Sequence, residues 1–81
     1  MAKTVVYHNH VIKSVPDKLY NQEWRAQIVI IWKSGRAMDS RHFTPAGTFK
    51  SEQDADRSGI SFGQRIIDKE SSSHHTPRVS E

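Results

Sequence analysis

The chain has 81 residues, 35% apolar and 26% charged, with 12 bases against 9 acids for a net charge of +3. So short a chain buries too little surface for two cores, and its lack of cysteine excludes disulfides and thiolate metal sites. The longest apolar run, Ile28 to Trp32, is strand length, well short of the roughly 18–20 residues a membrane helix needs, and no signal-like stretch follows the Met-Ala-Lys-Thr start. A soluble, cytoplasmic protein is expected.

Taken in order, Lys3 to Val15 is rich in valine, isoleucine and tyrosine and reads as extended. A single strand would leave neither face cleanly apolar, so a tight hairpin turning near Asn9 is predicted, with strands over about residues 4–8 and 10–15. Pro16 ends the second strand, because it donates no ladder bond, and Asp17 to Gln22 reads as a loop.

Glu23 to Lys33 shows the clearest alternation. Trp24, Ala26, Ile28, Ile30 and Trp32 should face a core, while the opposite set carries Val29 and Ile31 between polar ends. Ser34-Gly35 marks a turn, and Arg36 to Thr44 returns as the partner strand. A two-residue and a three-residue loop would put opposite side chains of that strand on the core face, and both remain open. Thr44-Pro45-Ala46-Gly47 is a further turn.

Ser51 then offers a helix N-cap, with Asp54 three residues on and Glu52, Asp54 and Asp56 placing negative charge where the helix dipole favours it. Ala55, Gly59, Phe62, Gly63, Ile66 and Ile67 recur at helical spacing, so the helix should cover the Trp24/Ile28/Trp32 side of the sheet and end near Lys69. Its two glycines are expected to let it approach a tryptophan closely. Residues 71–81 are almost free of apolar side chains and are expected to form a disordered polar tail behind a single domain of residues 1–70.

The fold class expected is therefore α+β: two antiparallel hairpins or small sheets in the N-terminal two-thirds, packed against one C-terminal helix.

No catalytic arrangement emerges. His8-Asn9-His10 spells the name of a nuclease family, but there the named residues are spread over a metal-binding unit and are not adjacent. With a turn at Asn9, His8 and His10 flank it and diverge, so they read as turn histidines and not as a metal pair. His74-His75 lies in the polar tail and implies no fixed site. Asp39, Ser40 and His42 share one short strand, whose neighbouring side chains point to opposite faces, and no nucleophile elbow surrounds Ser40. Gly59-x-x-x-Gly63 is a membrane-dimer motif only within an apolar span, and this helix is charged. No enzyme activity, cofactor, metal site or small-molecule substrate is expected.

The charge distribution is more informative. Residues 1–50 hold eight bases and three acids, leaving +5, and residues 51–81 hold four bases and six acids, leaving −2. The basic residues Arg25, Lys33, Arg36 and Arg41, with Gln27 and His42 for polar contacts and Tyr7 or Tyr20 for stacking, form a candidate surface for a nucleic acid or another partner. Both tryptophans, however, fall on the expected core face.

The succession of an N-terminal hairpin, Trp24-x-Ala26-x-Ile28, the Gly35 turn, Phe49, and a helix carrying Ser51-x-x-Asp54-Ala55, Gly59, Gly63, Ile66-Ile67-Asp68 resembles short, uncharacterised bacterial conserved-hypothetical proteins built as strands followed by one helix. The resemblance covers about residues 4–70. It implies the architecture, a bacterial origin and an accessory role in a prophage or phage tail, and it implies no active site. The function expected is a non-catalytic protein-interaction or assembly module that binds a protein partner or itself. The alternative is nucleic-acid binding through the basic hairpin face.

Overall fold

The computed structural model describes residues 3–75, with side chains described through residue 70. Strand β1 (Lys3–Tyr7) pairs antiparallel with β2 (His10–Ser14), and His8 and Asn9 between them both take positive φ, 49° and 66°. Two left-handed residues in a two-residue loop match the right-handed twist of the flanking strands, and this is the hairpin expected at Asn9.

Strand β3 (Asp17–Lys18) and strand β4 (Trp24–Arg25) form a separate two-stranded sheet. Here the structure corrects two expectations. Asp17–Lys18 is paired and not free loop, and the predicted long strand from Glu23 is divided, resuming as β5 (Ile28–Ser34). Pro16 has no N–H for a ladder, so the chain leaves β2 there and turns back through Leu19 to Glu23. Leu19 N donates to Glu23 O at 2.7 Å, and the side chain of Asn21 accepts from Glu23 N at 3.0 Å. Trp24 and Phe49 then exchange backbone bonds of 2.7 and 2.8 Å, which hold the segment leading into the helix against β4.

Strand β6 (Ala37–Phe43) pairs with β5 across a two-residue loop, with Ser34 opposite Ala37. Gly35 takes φ 63° there, a conformation that costs a residue without Cβ little. The main sheet is wholly antiparallel in the order β1-β2-β5-β6.

Helix α1 (Glu52–His75) starts as predicted: Ser51 Oγ accepts from Asp54 N at 3.1 Å. It runs beyond the end expected near Lys69, because after Gly63 no glycine or proline occurs before Pro77. Residues 71–75, assigned to the tail, continue the helix, and residues 76–81 lie outside the described ones.

The helix lies on one face of the main sheet, chiefly over β2 and β5. Ile12, Ile28 and Ile30 from the sheet and Ile60 and Ile67 from the helix form the buried core, with Val5, Tyr7, Trp32, Phe43, Phe62 and Ile66 at its margin. The close approach expected of Gly59 and Gly63 is present, but the neighbours are isoleucines. A Cβ at Gly59 would lie 2.8 Å from Ile28 Cγ2, and one at Gly63 would lie 3.0 Å from both Ile12 Cγ2 and Ile28 Cδ1. Trp24 is instead drawn toward Phe49, and Trp32 sits half-buried beside His10.

Candidate functional site

Strand alternation and the observed register divide the main sheet into two faces. The helix side receives Val5, Ile12, Ile30 and Arg41 in one cross-strand row and Tyr7, His10, Trp32 and Asp39 in the next. The other side receives Val6, Val11, Ile31 and Ser40 in one row. Thr4, Lys13, Val29 and His42 lie on one border of it, and Lys33 and Met38 on the other. Nothing among the described residues covers this second face. Val6 is 73% exposed and Met38 65%, while Val11, Val29 and Ile31 are half-buried by their neighbours. Several aliphatic side chains in contiguous rows on one open face are unlike the scattered apolar residues of an ordinary surface.

The residues singled out as a contact surface do not come together on this face. Lys33 lies on it at the hairpin end. Gln27 lies at its opposite end, where its Oε1 accepts from His42 Nε2 at 3.0 Å. Arg41 points to the helix side, over the Phe43 ring at 5.6 Å and 3.8 Å from Glu70. Arg25 belongs to the small sheet and is ion-paired to Asp17 at 2.8 Å, and Arg36 occupies the β5–β6 turn. The aromatic residues also stay away from the open face. Tyr7 donates its O–H to Asp68 Oδ1 at 2.8 Å on the helix side, and Tyr20, fully exposed, lies in the turn between β3 and β4. This hydrogen bond holds the Tyr7 phenol above its ordinary pKa, with desolvation and the Asp68 charge acting the same way.

The histidines and the Asp39/Ser40/His42 trio assemble no chemistry. His8 is exposed in the turn, and its carbonyl oxygen accepts from His10 Nδ1 at 2.7 Å, which aims the His10 ring toward Trp32. Asp39 lies on the helix side and Ser40 and His42 on the other. Among the described residues no three His, Asp or Glu side chains cluster as a metal site. An open cleft of about 520 Å³ runs between α1 and residues 45–49, lined among others by Phe49, Phe62, Ser58, Ser61, Arg57 and Arg65. Its polar lining is exposed or half-buried, and Arg57 leans on Asp54 at 3.7 Å.

Two buried polar residues form a pair that the sequence reading does not place: Ser14 is not singled out there, and Asp56 is expected only as helix-dipole charge. Ser14 donates its hydroxyl to the Asp56 carboxylate, and both are enclosed between β2 and α1. The signal was present in the periodicity. Ser14 follows Ile12 by two, and Asp56 precedes Gly59, Ile60, Gly63 and Ile67 by three, four, seven and eleven residues. The same pairing logic places Val6 beside Val11 once the loop is limited to His8-Asn9.

Fold and surface together define a class: small α+β domains in which one helix covers one face of an antiparallel sheet and the other face stays open. The chain belongs to a family of uncharacterised proteins, DUF6566, whose model, described as a domain of unknown function, matches residues 1–81. No curated protein and no solved structure matches it. No helix among the described residues is long and apolar enough to cross a membrane.

Proposed function

We propose that this protein is a non-catalytic protein-interaction module whose contact surface is the open face of the main sheet. The observation that carries the reading is the contiguous aliphatic patch of Val6, Val11, Val29, Ile31 and Met38, on the side of the sheet away from α1. Burying such a patch against a partner would remove apolar surface from water, the dominant favourable contribution to protein association. A bacterial origin and an accessory role in a prophage or phage tail belong to the same proposal and rest on the resemblance alone, and the cytoplasmic setting proposed with them rests on the shortness of the apolar runs.

Nucleic-acid binding gains less support. Arg25 and Arg41 are engaged with Asp17 and Glu70, and among the described residues the open face carries no Phe, Tyr or Trp ring on which a base could stack, its one ring being that of His42, hydrogen-bonded to Gln27.

The test is affinity capture from cells that encode the protein, comparing wild type with Val11→Ser/Ile31→Ser and with Arg57→Ser on the far side of the helix. A partner retained by wild type and Arg57→Ser but lost by the double variant, with its circular dichroism unchanged, is expected. Equal capture by all three would place the contact elsewhere and sink the assignment.

A further inference from the structure

We propose that the open face receives an amphipathic helix of a different protein, about three turns long and acidic along both borders of its apolar stripe. This rests on the interaction reading and adds the chemistry of the occupant. The register runs Val6, Val11 and Ile31 in a line across three strands, with Ser40 completing the row. Four strands about 4.8 Å apart make that row roughly 14 Å long, and a helix rising 1.5 Å per residue spans it in about ten residues. A line of this length, apolar over three of its four strands, suits one helix laid across it, whereas α1 on the opposite face runs along β2, with Gly59 near Ser14 and Ile28, Gly63 near Ile12, and Asp68 bonded to Tyr7.

The charges select the partner. Lys13 stands in the row on one side of the line and Lys33 in the row on the other. No strand residue on this face is Asp or Glu. A second copy pressed face to face would set four lysines together without an acid, so self-association through this face is opposed by like charge. A helix with carboxylates flanking its apolar stripe meets both lysines at once, and such complementarity both steers encounter and rejects wrong partners.

The proposal is tested by selecting against the full-length protein from a displayed library of helical 14-residue peptides, randomised at all surface positions. The winners are then measured as labelled synthetic peptides by fluorescence anisotropy. Enriched peptides should show apolar residues at helical spacing bordered by Glu or Asp. Exchanging those acids for lysine should weaken binding on the order of tenfold, a size expected from two surface ion pairs turned into repulsions. Lys13→Glu/Lys33→Glu should reverse that preference.

Peptides lost with Val11→Ser/Ile31→Ser but neutral or basic at their borders would overturn the acidic-helix proposal and leave the interaction surface standing. Peptides indifferent to Val11→Ser/Ile31→Ser would overturn both. Dimerisation of the protein alone, abolished by Ile31→Ser in sedimentation, would assign the face to a second copy and overturn the proposal. Salt-sensitive binding of a single-stranded oligonucleotide, lost in Lys13→Ala/Lys33→Ala, would overturn it in favour of nucleic acid.

Discussion

The bond from Tyr7 to Asp68 ties the first strand to a helix residue sixty-one positions later, and it has a pH signature. A phenol whose pKa is raised in the folded state contributes stability that is fully present below the ordinary value of about 10, and it loses that contribution as pH rises through the folded pKa. Asp68→Asn removes the charge that opposes ionisation, so tyrosinate absorbance should develop at lower pH in that variant than in wild type. Coincident titrations would contradict the hydrogen bond. Gly59 makes a second residue-scale case. Alanine there gains up to about 1 kcal/mol of helix propensity. Its methyl, however, would meet Ile28 Cγ2, a buried branch next to the backbone that cannot swing aside. Overpacking of this kind costs about 1–3 kcal/mol, so Gly59→Ala should lower Tm despite the better helix former. Ser14→Ala should also destabilise, by about 1–3 kcal/mol, because Asp56 stays enclosed without its donor; urea unfolding would measure it.

Among the elements, the helix was the most legible, since Ser51 with Asp54 announces its start and the Gly59, Gly63, Ile67 spacing announces its face. Ile60 belongs to that face and is buried at 8% exposure, though the predicted stripe omitted it. The buried stripe is therefore wider than that spacing predicts. Ile67→Ala, at 1% exposure, should cost about 2–5 kcal/mol, and Ile66→Ala, on the half-buried margin, clearly less. Equal losses in urea midpoint would mean that the helix is rotated from the position described. The strand from Glu23 was less legible. Its alternation continues unbroken through Ala26 and Gln27, but alternation reports which side a residue faces and not which strand it pairs with. The break at those residues follows from the return of the chain after Pro16, a tertiary event that carries no local mark.

Across the whole molecule, the sidedness of the sheet decides what the candidate surface is. The patch at Val29 and Ile31 could be anticipated, but its continuation through Val6, Val11 and Met38 depends on two loop lengths. With a three-residue loop at Gly35, Arg41 would have joined Lys33 on the open face. The two-residue loop sends Arg41 toward Glu70 and leaves Ser40 and His42 in its place. A basic composition was visible in the chain, and its dispersal over both faces, a turn and a second sheet was not.

The exposed edge strand β6 has a consequence in time. Of its seven residues only Phe43 is partly buried, where its ring meets Phe62 6.2 Å away, while Ala37 to Ser40 depend on their ladder with β5. Opening should therefore begin at the Gly35 turn and run toward Phe43, slowing where the ring and Arg41 grip the helix. Hydrogen exchange should show the amides of residues 37–40 fastest in the sheet and those of β2 slowest. The rim of the open face that holds Lys33 and Met38 is then the part that moves first, so an arriving partner meets one border already formed and closes the other around itself.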